Sequence, residues 1–362
     1  MKKILSILLA VLMLASLCVT AFADEVQVAM VTDYGDITDQ SFNQTTYEAC
    51  KAYCDENGVN FKYFKPATNS DVDRVSSIEQ AIDEGYTVIV LPGYAFGPAV
   101  QEIAPEYDDV TLIALDVSEG DIGELASNMP ANLYCAVYQE ELCGYMAGYA
   151  AVKLGYTKLG FLGGMAVPAV VRYGYGFVQG ADAAAAELGI EISMNYVYGN
   201  QFFGDPDITA YMDTWYANGV EIVFACGGGI YSSAAEAAAK VGAKVIGVDV
   251  DQAAQIDGTY GEGMTVTSAM KGLGATVNSC LDAIVNGTFE GGKVETLGLV
   301  SEVPAENYVQ IAGSTQFAEG FTADDYAALV AAMVAGDVVV SNDIAAEPAV
   351  TATNIDYQGN IK

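Results

Sequence analysis

Seven side chains, Asp33, Phe42, Asn43, Asp116, Tyr231, Asp249 and Lys271, combine a chemically useful type with a telling position. Each lies at or just beyond the end of an apolar, strand-like run, and open parallel sheets bind ligands outside the carboxyl ends of their strands. The first run reaches Val31 and passes through Thr32-Asp33 into a glycine-bearing acidic loop, and Ser41-Phe42-Asn43-Gln44 then opens a helix pattern. Later runs end in "PGYAFG", in Asp116, in "GGMAVP", in "CGGGIYSS" with Tyr231, and in "GVDVDQ" with Asp249, while a returning run carries Lys271. Carboxylates accept paired, charge-assisted hydrogen bonds from hydroxyls, and aromatic rings stack on flat ones. No nucleophile–base pair accompanies them. The chain contains no histidine, which removes histidine triads, histidine metal sites and imidazole bases together. Such a set suits gripping a polar, partly flat molecule better than breaking one, and no cofactor is expected.

Each residue also has a structural reading. Asp39 or Ser41 can cap the helix and Phe42 can staple its first turn. Asp116, Asp249 and Asp251 can serve as caps or as ion-pair partners, and Lys271 can neutralise one of them. The triple glycine at 227–229 matches neither the dinucleotide nor the Walker pattern, so it reads first as a tight turn. What favours binding is that all these residues fall at the same edge of two sheets.

Two sheets are expected because the pattern runs twice. Strand-like runs at Gln27–Val31, Asn60–Phe64, Thr87–Leu91 and Thr111–Leu115 alternate with helical patterns at Phe42–Asn57, Val72–Glu84 and Gly97–Glu106. Near-continuous apolar strands separated by helices indicate a parallel sheet covered on both faces. "ASNMPANLYCAVYQ" reads as a break, after which the alternation restarts at Glu140–Leu154 and continues to the strand Lys244–Val248. Residues 24–130 with a return near 255–290 form the expected first lobe, and 131–254 with 291–362 the second. The strand-like runs Gly291–Val303 and Tyr308–Ile311 are read as chain crossing back, and "FTADDYAALVAAMVAGDVVVSND" as a helix followed by a short strand.

The amino terminus reads as an export signal: Lys2-Lys3, an apolar run from Ile4 to about Val19, and small residues at Ala21 and Ala23. Cleavage is expected after Ala23. Leu17 before Cys18 fits lipid attachment at that cysteine poorly. The remaining chain is long enough for two domains of ~100–200 residues each. With 14 basic against 47 acidic residues the formal net charge is −33, which repels nucleic acid and anionic lipid. No Lys/Arg cluster offers a phosphate pocket, so a neutral or cationic ligand is favoured. Cys50, Cys54, Cys135, Cys143, Cys226 and Cys280 form no C-x-x-C pair and read as small buried hydrophobes, although an exported protein allows a disulfide.

"VTDYGDITDQSFNQ", "LIALD", "LCGYMAGYAAVKLGYTKLGFLGGM", "VRYGYGFVQGA", "VIGVDVDQ" and "VTSAMKG", in this order over nearly the whole mature chain, resemble the basic membrane protein family. These are substrate-binding components of ABC transporters and include nucleoside receptors. The resemblance implies a type I periplasmic-binding-protein fold: α/β, with two Rossmann-like lobes joined by a multi-strand hinge and a ligand between them. It implies a monomer that delivers a nucleoside, with a purine preferred, to a membrane permease. It further implies that Phe42 stacks on the base, with Asn43 and Asp33 nearby, that Asp116 accepts hydrogen bonds from the base edge, and that Asp249 and Lys271 hold the ribose hydroxyls. Tyr231 is the candidate for the opposite platform, and Arg172 reads as structural. The loop 35–39 reads Gly-Asp-Ile-Thr-Asp where the family has a second glycine and paired aspartates, which leaves the ligand open. A receptor for a sugar, a secreted nucleoside hydrolase and a sensor docking on a membrane receptor are the alternatives.

Overall fold

The structure, a computed structural model, describes residues 26–362, so the expected signal segment and Cys18 lie outside the described residues. Its first strands are short and almost wholly apolar. β1 (Gln27–Val31) leads to α1 (Phe42–Asn57), β2 (Asn60–Phe64), α2 (Asp71–Asp83), β3 (Val88–Pro92), α3 (Gly97–Glu106), β4 (Thr111–Leu115), the short α4 (Glu119–Ile122) and β5 (Leu133–Tyr138). VIVLP in β3 is buried at every residue, as a strand covered on both faces must be. Local chemistry sets the helix starts: the Ser70 hydroxyl accepts the Asp73 N–H at the start of α2.

The chain continues with α5 (Glu140–Lys153), β6 (Lys158–Gly163), α6 (Pro168–Leu188), β7 (Ile192–Tyr198), α7 (Pro206–Ala217), β8 (Ile222–Cys226), α8 (Tyr231–Val241), β9 (Lys244–Asp249), α9 (Ala253–Tyr260) and β10 (Thr265–Lys271). Last come α10 (Leu273–Val285), β11 (Lys293–Leu297), β12 (Val309–Ile311), α11 (Ala323–Ala335) and β13 (Thr353–Asn360).

The chain divides into two compact units. One comprises the described residues up to Ile37 together with Thr45–Val137 and Leu273–Glu295; the other comprises Thr38–Gln44, Tyr138–Gly272 and Thr296–Lys362. Three expectations need correction. The first unit runs on to Val137, because Leu133–Tyr138 is not a break but a strand paired in parallel with β4. The return segment begins at Leu273 rather than near 255, because β10 pairs with β9 and with β12 and so stays in the second sheet. The last strand is not in "DVVVSND" but at Thr353–Asn360, paired in parallel with β7.

Within the first unit the sheet order is β11-β5-β4-β3-β1-β2, and within the second it is β12-β10-β9-β8-β6-β7-β13. Stripped of their edge strands, both follow one winding scheme: the unit's second strand beside its first, then the third, fourth and fifth. That order reverses direction at the first strand, and such switch points bind ligands in doubly wound sheets. Asp33 follows the first strand of its unit. Asp116 and Asp249 occupy the same place, the end of the fourth strand, in their respective units. The first core packs Ile89, Leu91, Phe96, Val100, Ile103 and Leu112 between sheet and helices; the second gathers Leu162, Val197, Met212, Trp215, Val223 and Ala234.

Inside the second unit, α5 and α6 cross at backbone contact. A Cβ on Gly144 or Gly148 would lie 2.2 Å from the carbonyl oxygen of Tyr173 or Phe177, and one on Gly176 or Gly180 would lie 2.1 or 2.0 Å from that of Glu141 or Tyr145. Only glycine permits this approach. The G-x-x-x-G spacing on both helices therefore fixes where the first residue of α5, Glu140, stands against Arg172 and Tyr173 of α6.

Candidate functional site

The acidic loop after β1 is a helix-capping device. The Asp39 carboxylate accepts the N–H groups of Ser41 (2.9 Å), Asn43 (2.9 Å) and Gln44 (3.0 Å) and the Asn43 side-chain amide (3.2 Å). Burial raises its pKa, and those donors pull it back. Residues 38–44 are also tied into the second unit. The Gln252 amide donates to the Gln40 carbonyl at 2.9 Å, and its oxygen accepts the Val248 N–H at 2.9 Å. Phe42 and Asn43 are thus held in the second unit beside the end of β9.

There the Asp249 carboxylate, 5% exposed, accepts the Ser41 hydroxyl at 2.5 Å and the Tyr173 hydroxyl at 3.4 Å. The Lys271 ammonium stands 3.9 Å from it and 3.4 Å from Glu140 Oε1. Arg172 Nε donates to Glu140 Oε2 at 2.6 Å. Burial pushes the Asp249 carboxyl above its ordinary range, and Lys271 is the strongest influence pulling it back. Lys271 Nζ also lies 4.7 Å from the centre of the Phe42 ring, 5.4 Å from that of Tyr138 and 5.8 Å from that of Tyr173. An ammonium among aromatic faces and carboxylates is held electrostatically from several sides. Asn43 is buried, and its side-chain oxygen has no hydrogen-bond partner. A buried acceptor left open is rare enough to call for an explanation, and an incoming donor supplies one.

Asp249 has φ +65° and Asp116 φ +60°, a left-handed backbone uncommon outside glycine. In each unit the fourth strand therefore ends in a strained aspartate. Strain of this kind costs on the order of 1–3 kcal/mol and clusters at binding sites. In the first unit, Asp116 is half-buried with its N–H on the Ala136 carbonyl at 2.7 Å. Asp33 is buried and accepts the Tyr34 and Gly35 N–H groups at 2.6 and 2.8 Å.

Of the residues singled out from the sequence, the second unit brings Phe42, Asn43, Asp249 and Lys271 together. Asp33 and Asp116 stand at strand ends of the first. Tyr231 is 6% exposed and packs in the second core with Ile230 and Ala234. The glycine turns do more than reverse the chain. A Cβ on Gly164 or Gly227 would lie 2.4 or 3.0 Å from Phe202 Cδ1, so both turns make room for that ring. Its neighbour Phe203, 61% exposed, bridges to Gly229. Phe203, Glu140 and Tyr173 escaped the sequence reading. An aromatic pair in a polar loop ("GNQFFGDP") and an acidic pair opening an otherwise apolar helix ("EELCGYMAG") are the signals that could have found the first two.

Solved structures that share this architecture include solute-binding proteins of ABC transporters as well as transcription regulators. One solute-binding protein from Aeropyrum pernix K1 is 21% identical with a TM-score of 0.67 and covers 88% of each chain; one from Conexibacter woesei is 21% identical with a TM-score of 0.66, covering 88% of this chain and 99% of that one. These define the class by fold, the type I periplasmic-binding fold. The family model for PnrA-like ABC transporter substrate-binding proteins matches residues 26–307, and the chain belongs to that family. Among relatives, the ABC transporter nucleoside-binding protein BmpA of Lactococcus lactis is 27% identical over 294 residues, covering 76% of this chain and 79% of that protein. Basic membrane protein A of Borreliella burgdorferi is 29% identical over 280 residues, covering 75% and 76%. No helix among the described residues is long and apolar enough to cross a membrane.

Proposed function

We propose that this substrate-binding protein works outside the cytoplasm as a monomer and hands a nucleoside, with a purine preferred, to the permease of an ABC importer, without altering it. The observation that carries the reading is the cluster of Asp249, Lys271, Phe42 and Asn43. Asp249 accepts hydrogen bonds from the vicinal ribose hydroxyls, and charge assistance makes these strong. Lys271 donates to the same hydroxyls. The open Asn43 oxygen takes a ligand N–H or O–H. The half-buried Phe42 ring offers a stacking face of about 1–3 kcal/mol per base, and Phe203, more exposed than Tyr231, is the better second platform. Asp33 and Asp116 stay assigned to the ligand, the latter to the base edge. A relative whose name carries nucleoside binding supports the same ligand class.

Vicinal hydroxyls occur in sugars too, so the base contact decides between the two. Calorimetric titration with inosine, adenosine and free ribose tests it, using wild type, F42A and D249N. Wild type should bind a nucleoside and ignore ribose. F42A should lose about tenfold or more, the worth of one stacked ring, and D249N should lose binding altogether. Ribose binding as tight as nucleoside binding, unchanged in F42A, would make the protein a sugar receptor.

A further inference from the structure

We propose that Ser41 is a positioning residue: it aims the Asp249 carboxylate at the vicinal hydroxyls of a ribose and so makes the site select ribonucleosides over deoxyribonucleosides. The inference rests on the nucleoside reading above. Both residues belong to the second unit. The Asp249 carboxylate has one protein hydroxyl on each oxygen: Ser41 donates to Oδ2 at 2.5 Å, and Tyr173 of α6 donates to Oδ1 at 3.4 Å. The first is the length of a strong bond to an ionised acceptor, the second that of a weak one. Of the two hydroxyls, Ser41 therefore has the firmer hold.

The torsion that turns an aspartate carboxylate about its last bond is broad. The left-handed backbone at Asp249 fixes where the group stands but not how it faces, and a strong donor on one oxygen supplies the second. An ionised carboxylate offers about four acceptor sites. Ser41 and Tyr173 take one on each oxygen, which leaves one on each, and two neighbouring hydroxyls match that pair. Ionisation leans on the same contact. Burial pushes the Asp249 carboxyl up, Lys271 and then the Ser41 hydroxyl pull it back, and Glu140 adds to the rise while Tyr173 opposes it. A protonated Asp249 would give up an acceptor site to its own proton.

Ser41 is itself held from both sides. Its N–H donates to Asp39 Oδ1 at 2.9 Å, on the carboxylate that caps α1. The carbonyl before it, that of Gln40, accepts the Gln252 amide at 2.9 Å. Gln252 is bound in turn through its side-chain oxygen to the Val248 N–H, next to Asp249, and through its own N–H to the Ser268 hydroxyl at 3.2 Å. The hydroxyl and the carboxylate it orients thus share one hydrogen-bonded frame, and Ser41 is fully buried within it. Its single hydroxyl proton goes to Asp249, so removing the hydroxyl removes that contact and leaves the Asp39 cap in place.

The test titrates adenosine, 2′-deoxyadenosine and 3′-deoxyadenosine into wild type and S41A by calorimetry. A site built to hydrogen-bond a hydroxyl rejects the analogue lacking it, because a buried partner is left open. Wild type should bind adenosine about tenfold or more tighter than each analogue. S41A should weaken adenosine by about tenfold, the worth of a bond to a charged group, and the analogues by much less, so that both ratios fall to about threefold or below. Loss of the same factor for all three ligands is what a merely structural role gives, and it overturns the proposal, as does an S41A that binds adenosine like wild type. If S41A does not fold, S41C, with a weaker donor of similar size, is read by the same two ratios, and unchanged ratios there overturn it. Wild type that binds adenosine and both analogues equally sinks the role of Ser41 alone; wild type that binds no adenosine sinks the nucleoside reading along with it.

Discussion

Asp249 and Glu141 show how one buried environment gives two carboxylates different tasks. Asp249 keeps Lys271, Ser41 and Tyr173 around it and so has partners for its charge. Glu141 is 3% exposed with one carboxylate oxygen lacking a hydrogen-bond partner, and burial first, then the neighbouring Glu140, lifts its pKa from 4.5 to about 7. Between those values the folded chain holds a proton that the unfolded chain has released. Stability from Glu141 is therefore full below the lower value and is lost as pH rises toward the higher one. The shift corresponds to a few kcal/mol, on the order of 3. Urea unfolding at pH 5 and pH 8 should show wild type losing stability across this interval, with E141Q losing markedly less. Equal losses in the two proteins would mean that Glu141 is ionised in the folded state at both pH values. None of this was legible in the sequence: "EE" at the start of a helix ordinarily reads as a solvated first turn, and only the crossing with α6 buries it.

At the scale of elements, α5 and α6 form the frame of the site. G148A places a methyl 2.2 Å from the Phe177 carbonyl oxygen, a backbone atom that cannot swing aside. Overpacking should cost about 1–3 kcal/mol and shift Glu140 relative to Arg172, so ligand affinity should fall as well. Gly189 closes α6 in the left-handed conformation, with nothing near its Cβ position. G189A should cost about 1 kcal/mol and leave affinity unchanged. Thermal unfolding and titration of the two variants separate the effects, and intact binding in G148A would show that the crossing does not position the site. The βα alternation was readable because period and composition agreed: β1, α1, β2, α3 and β4 lie where the pattern put them. β5 was hidden by Asn128, Met129 and Pro130, turn chemistry that precedes the strand but does not interrupt it. β13 was hidden by its polar residues, Asn354, Asp356 and Gln358, which an edge strand tolerates. "VVV" at 338–340 has β-branched residues but no neighbouring strand to pair with.

For the whole molecule, the two units repeat one winding scheme and each ends its fourth strand in a left-handed aspartate, a device legible in "LIALD" and "VIGVD" once both runs are taken as strands. The strain could not be read there, because it lies in φ and not in residue type. The six cysteines among the described residues are free and buried, so they pack as small hydrophobes and no disulfide joins them. A surface this acidic leaves recognition to a few buried groups. The central claim is that the protein holds a nucleoside and returns it intact. Equilibrium dialysis against inosine, followed by denaturation and mass spectrometry of what the protein releases, tests it most directly. The account predicts one unaltered nucleoside per chain after prolonged incubation; release of free hypoxanthine and ribose, or no retained nucleoside at all, would contradict it.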